Sequence, residues 1–332
     1  MAADHLNVHH QAGIAEEHGR HFLVNSPQYL FPWDSVEAHR MDLFHKAVTL
    51  ICSHLGTGTG LWVVEMADRY AGRSEVWGVD LAPFQPHLIP SNAKFQNLDI
   101  ETHWQLGTGS WDLIHIRCLK GVVRNWPGLY ATVLSHLIPG VGHIQQLEMD
   151  WAPLDNAGPH LTNWSRILHA CMDSTGRPLR VDGDKTARTL REAGFVDVRI
   201  SRYYLPLSRK RSKRLSPRQT ASYPPALSTT SGTSLPSISG MSSPSGSHNY
   251  YDEEDSNHGI DNIAAGREVW FPRAFEQWLE GLTLMPMLRA GYSLDAVYRL
   301  LADVRQELED PASNAQCIMY VWTAKCPVQQ ER

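Results

Sequence analysis

Three glycines at alternate positions, in His54-Leu-Gly-Thr-Gly-Thr-Gly60, are followed twenty positions later by Asp80, which ends the apolar stretch Glu75-Val-Trp-Gly-Val-Asp80. This pairing leaves the chain few folds. Residues without a Cβ let the backbone turn sharply from a strand into a helix and let its amides approach a ligand closely. An acidic side chain about 20 residues on, at the tip of the next strand, is placed to accept hydrogen bonds from two ribose hydroxyls. Nicotinamide dinucleotides and S-adenosylmethionine both use that geometry, so the glycine spacing has to choose. The dinucleotide pattern G-x-G-x-x-G/A fails, because its third small residue falls on Leu61 counted from Gly56 and on Val63 counted from Gly58. The spacing G-x-G-x-G fits S-adenosylmethionine better. His54, Gly56, Thr57, Gly58, Gly60, Asp80, Leu81 and His115 are then the expected cofactor contacts, with Asp99 and Ile100 at the adenine edge. The competing reading is an ordinary tight turn that binds nothing.

At 332 residues and 42% apolar content the chain can bury a full core, and one catalytic domain with appendages is expected. A net charge of −5 offers no general attraction for nucleic acid or anionic membrane. The stretch Met1–His10 lacks a basic-then-apolar signal, and no run approaches the length of a membrane-spanning helix, so a soluble intracellular protein is expected. Five scattered cysteines, never in a C-x-x-C pair, read as reduced and structural.

Periodicity divides the chain into an N-terminal helical cap over 1–49, a core over 50–207, a disordered Ser/Pro-rich insertion over 208–262 and a C-terminal part over 263–332. The cap rests on a helix over Ser35–Thr49, with Val36, Met41, Phe44 and Val48 at helical intervals. In the core, helices are expected over Leu61–Tyr70, Tyr130–Leu137 and Thr186–Gly194. Strands are expected to end at Asp80 and to cover Lys94–Asn97, Trp111–Arg117, Gly142–Met149 and Phe195–Leu205. This alternation implies an α/β fold with a mainly parallel sheet covered on both faces. The insertion carries a basic run, Arg209–Arg214, and an acidic run, Asp252–Asp255; its composition cannot offset the entropy of ordering. Order is expected to resume near Arg267, with an amphipathic helix (apolar residues at 294, 297, 301, 304 and 308) and a closing strand over Cys317–Ala324.

Several segments together resemble the fungal LaeA-type methyltransferases, class I methyltransferase-like regulators associated with velvet proteins. They are Tyr29-Leu-Phe-Pro-Trp-Asp34 with Glu37, Arg40, Asp42 and His45, Leu55–Trp62 with Met66-Ala-Asp68, and Gly78–Ala82 with Gln85-Pro86. Trp111–Arg117, Trp126-Pro127, Pro139-Gly140, Glu148–Pro153 and Ala193–Asp197 complete the set. The resemblance covers nearly all of the chain outside the insertion. It implies a class I (Rossmann-like) fold with a seven-stranded sheet, S-adenosyl-L-methionine as cofactor, a nuclear location, velvet-family partners and a role in secondary metabolism and development. Two departures stand out. His54 occupies the place where this class usually has an acidic residue that holds the methionine amine, and an imidazole cannot supply that charge. The passage from Phe44 to Leu55 is also short for a helix end plus a full first strand.

Methyl transfer from a sulfonium needs alignment and a desolvated pocket rather than a catalytic triad. His115 and Arg117, on the strand 111–117, are candidates to orient an acceptor or, for His115, to take its proton; Glu148 and Asp150 end the next strand. For each, a structural polar group at a strand end is the plainer alternative. Trp33, Trp126, Trp151 and Trp164 are candidates to line an acceptor pocket. His9, His10, His18 and His21 cluster without metal-ligand spacing, so no metal is expected. Arg209–Arg214 reads as a nuclear-import signal or a solvated charge run. Three functions remain open at this point: a regulatory methyltransferase, a methyltransferase-fold scaffold that docks a partner, and a small-molecule tailoring methyltransferase.

Overall fold

The computed structural model describes residues 13–24, 26, 29–49, 57–81, 85, 88–154, 157–208 and 256–328, with the backbone alone at 46, 48, 49 and 256–268. The first described feature is a hairpin, β1 (Ile14–Glu17) and β2 (Arg20–Leu23), paired antiparallel from Ile14↔Leu23 to Glu17↔Arg20. His18 and Gly19 turn it with φ of +55° and +75°, the two-residue geometry whose twist matches that of the strands. The helical cap over 1–49 is corrected accordingly: a hairpin precedes its helix, α1 (Ser35–Thr49). The periodicity missed it because each strand has four residues and His-Gly is not among the usual signals for this turn. Arg20 ties hairpin to helix, its Nε and Nη2 donating to the Asp34 carboxylate at 2.6 and 3.0 Å.

The core then runs α2 (Leu61–Arg69), β3 (Val76–Asp80), β4 (Ala93–Asn97), β5 (Leu113–Arg117), α3 (Trp126–His136), β6 (His143–Asp150), α4 (Pro159–Ser174), α5 (Gly183–Glu192), β7 (Val196–Pro206), α6 (Ser256–Arg289), α7 (Leu294–Glu309) and β8 (Gln316–Lys325). The class is α/β, as expected. β3 pairs in parallel with β4, and β5 with β6, whereas β8 lies antiparallel between β6 and β7 in the order β5-β6-β8-β7. The sheet is thus mixed rather than mainly parallel. β8 runs antiparallel to β7, so the chain re-enters the sheet from the end it left. Six core strands stand among the described residues; positions 50–56, where a seventh is expected, lie outside them.

β8 shows how both faces are covered. Cys317, Met319 and Val321 enter the larger core with α1, α4, α6 and α7, while Trp322 and Ala324 enter a second core under α3 and α5. Alternation along a strand sends successive side chains to opposite faces, so a run apolar at nearly every position needs helices on both. α2 packs Trp62, Val63, Met66 and Ala67 onto Val76 and Ala93 of the β3–β4 pair.

α4 was not expected from periodicity, yet Leu161, Trp164, Leu168 and Met172 make it one of the most buried helices. Its first turn has no side-chain cap of its own. Glu307 of α7 accepts from the His160 and Leu161 amides at 2.7 and 3.1 Å, which places a carboxylate against the positive end of the helix. The boundary drawn for the insertion is also corrected. α6 begins at Ser256, so regular structure resumes before 262, and the remainder of the insertion, 209–255, lies outside the described residues.

Candidate active site

The described part of the glycine loop is a tight turn, Gly60 N–H donating to the Thr57 carbonyl at 2.6 Å. Gly58 and Gly60 hold φ of +44° and +79°, a region that costs other residues energy. Gly60 is the residue from which α2 starts. The loop is fixed from three sides. Asp80 Oδ2 accepts the Gly58 amide at 2.9 Å, Asp42 of α1 accepts the Thr59 hydroxyl at 2.8 Å, and Gln85 donates to the Gly58 carbonyl at 3.4 Å. Gly78 allows this packing, since a Cβ there would stand 2.7 Å from both Thr57 Oγ1 and the Phe95 ring.

A cavity of about 540 Å³ opens between the β3–β4 pair and the β5 edge, within the range of small-molecule sites. Thr57, Gly58, Asp80, Leu81, Asp99 and Ile100 line one part of it. Gly60 shapes the turn without lining the cavity, and His54 and Gly56 lie outside the described residues. The Asp99 carboxylate accepts the Glu101 amide at 2.9 Å and so shapes the turn after β4. An apolar slot between Leu81 and Ile100, with a carboxylate and a close backbone at its edge, suits an adenosine; the residues present fit S-adenosylmethionine.

The other part of the cavity is lined by Arg40, Phe44, Arg117, Glu148, Trp151, Trp278 and Leu282. Of the four tryptophans proposed from sequence, only Trp151 lines it. Trp164 is core and donates to Thr283 Oγ1 at 2.8 Å, Trp33 packs on Leu23, and Trp126 lies under the Lys120 ammonium. Trp278 and Leu282 come from α6, beyond the insertion, and no local motif announced them. Arg40 and Glu37 form a buried ion pair at 2.7 Å, and the Arg40 guanidinium covers the Trp278 ring at 3.9 Å.

Of the four candidates at strand ends, His115, Arg117 and Glu148 line the cavity, in different settings, and Asp150 does not. His115 is buried, stacks on Trp62 and shares a 2.8 Å hydrogen bond from Nδ1 with Gln145 Oε1. Burial pushes its pKa well below the ordinary value, so it is neutral. Arg117 is half-buried at the end of β5 with its guanidinium over Phe44, and desolvation lowers its pKa to about 10, which leaves it charged. Glu148 is fully buried and accepts the Leu119 and Lys120 amides at 3.1 and 3.0 Å, so both its oxygens hold the turn after β5. Burial raises its pKa to about 7. Asp150 accepts the Ala152 amide at 3.1 Å and shapes the exit from β6.

A glycine loop braced by an acidic strand end, a nucleoside slot and an aromatic chamber define a class I methyltransferase. The methyltransferase domain family matches residues 54–200, and S-adenosyl-L-methionine is its cofactor. The Monascus pilosus secondary metabolism regulator laeA is 30% identical over 322 residues, spanning 90% of this chain and 74% of the relative. The Aspergillus fumigatus regulator of the same name is 28% identical over 90% of this chain and 73% of its own length. The Emericella nidulans protein-methionine methyltransferase laeA is 29% identical over 95% and 77% respectively. The chain belongs to the laeA family of methyltransferases.

Proposed function

We propose that the chain controls secondary metabolism and development by S-adenosylmethionine-dependent methylation of a protein methionine, acting in the nucleus with velvet-family proteins. One observation carries the choice of acceptor: neither of the two candidate bases, Glu148 and His115, is suited to take a proton. Glu148 holds two backbone amides, and His115 is hydrogen-bonded to Gln145 with its basicity lowered well below the ordinary value by burial. Bound in the slot, S-adenosylmethionine supplies an electrophilic methyl group. A thioether attacks with a lone pair and has no proton to lose, so Trp151, Trp278 and Phe44 need only align it and exclude water. The positive charge passes from one sulfur to the other, and aromatic faces suit such a cation. The name of the Emericella nidulans relative points to the same acceptor.

The test is incubation of purified chain with methyl-labelled S-adenosylmethionine and fungal nuclear protein, with peptide mapping of the label. Label on methionine sulfur is expected; label confined to nitrogen or oxygen overturns the acceptor. No calorimetric binding of the cofactor at millimolar concentration overturns the enzyme. Nuclear action rests on the basic run Arg209–Arg214, outside the described residues. Neutralising all its cations is expected to abolish nuclear accumulation of a fluorescent fusion and co-purification with velvet proteins from nuclei, and undiminished accumulation rejects the run as the signal.

A further inference from the structure

Arg40 is 5% exposed and lines the cavity, yet it uses little of its donor capacity. Its Nη2 donates to Glu37 at 2.7 Å. Among the described residues, Nε and Nη1 are buried without a hydrogen-bond partner. Leaving such donors unmet is costly when the group is charged and out of water. A second guanidinium, that of Arg117, borders the same cavity, close enough that each repels the other's charge. Neither nearby carboxylate meets these donors: Glu37 takes Arg40 Nη2, and Asp42 accepts the Thr59 hydroxyl. This corner of the cavity therefore holds unspent guanidinium donors.

We infer that Arg40 binds a carboxylate that enters this cavity, and that it is the carboxylate at the amino-acid end of S-adenosylmethionine. The planar fork of a guanidinium matches a carboxylate, which can take two N–H groups at once. The position of α1 chooses the source. Met41, the next residue, lies against Gly58, where an added Cβ would be 2.6 Å from its sulfur, and Asp42 holds Thr59. α1 thus touches the glycine loop at Met41 and Asp42, and Arg40, with its guanidinium over Trp278, borders the cavity between that loop and the aromatic chamber. A carboxylate on the acceptor is the other source of the same chemistry. The inference rests on the cofactor reading above and explains why Glu37 and Arg40 stand in the segment that led to the family.

The test compares S-adenosylmethionine with 5′-methylthioadenosine, which keeps the nucleoside and the methylated sulfur, now a neutral thioether, but lacks the amino-acid end, by calorimetric titration of the full chain. R40Q is expected to weaken S-adenosylmethionine by about tenfold or more and to leave 5′-methylthioadenosine unchanged; R40K, which keeps the charge without the fork, falls between. R40Q leaves Glu37 buried without its cation, so the double variant E37Q/R40Q serves if R40Q does not fold, and the same selective loss is expected of it. Equal losses for both ligands, or no loss for either, overturn the inference. Unchanged cofactor affinity with a raised KM for the acceptor overturns it in favour of an acceptor carboxylate. A natural chain that binds neither ligand overturns the cofactor reading itself.

Discussion

Replacing Asp80 by alanine is expected to abolish measurable binding of S-adenosylmethionine. The carboxylate ends β3 beside the glycine loop and lines the nucleoside part of the cavity. It has two tasks there: it accepts the Gly58 amide at 2.9 Å, which fixes the loop, and it faces the place where ribose hydroxyls would sit. Hydrogen bonds to a charged acceptor are worth about 1.5–3 kcal/mol each, so losing two raises Kd by about a hundredfold or more. D80N keeps an acceptor oxygen but loses the charge, and an intermediate loss is expected. Titration calorimetry checks both, with circular dichroism to show that the fold persists. Affinity within a factor of about two of the natural chain would place the ribose elsewhere.

The second large effect concerns Glu148 and appears in stability rather than in turnover. With E148A, the Leu119 and Lys120 amides lose their acceptor inside the protein. At about 1–3 kcal/mol for each buried donor left unmet, a fall in Tm of roughly 10 °C is expected. The pH dependence follows from the same burial. The folded-state pKa stands near 7, above an unfolded value of about 4.3, so the native state holds its proton more tightly than the unfolded chain. The associated stability is fully present below pH ~4.3 and is lost as pH rises through about 7, with a total of roughly 3 kcal/mol. E148Q cannot titrate, and its stability curve should be flatter over that window. Urea unfolding of both proteins at several pH values measures the difference. Parallel curves would mean that Glu148 ionises alike in both states.

The sequence by itself determined those features whose signal lies within a short stretch of chain. The glycine run and Asp80 fall close together and meet in the structure, with Gly58 hydrogen-bonded to Asp80. The amphipathic stripe at 297, 301, 304 and 308 became the buried face of α7, because a helix repeats every 3.6 residues whatever it packs on. Thr57, Asp80, Leu81, Asp99, Ile100 and His115 do share one cavity. Tertiary structure decided the rest. That Glu148 spends its charge on backbone amides depends on β5 and β6 lying side by side in register. Glu307 serves α4 from 147 residues away, and Trp278 and Leu282 reach the cavity only because α6 folds back over α1 after the insertion. The antiparallel entry of β8 likewise follows from what precedes the strand, not from its residues. Local periodicity states which face of an element is apolar; which partner covers that face, and which charges are thereby sealed from water, is settled by contacts between segments that the sequence places far apart.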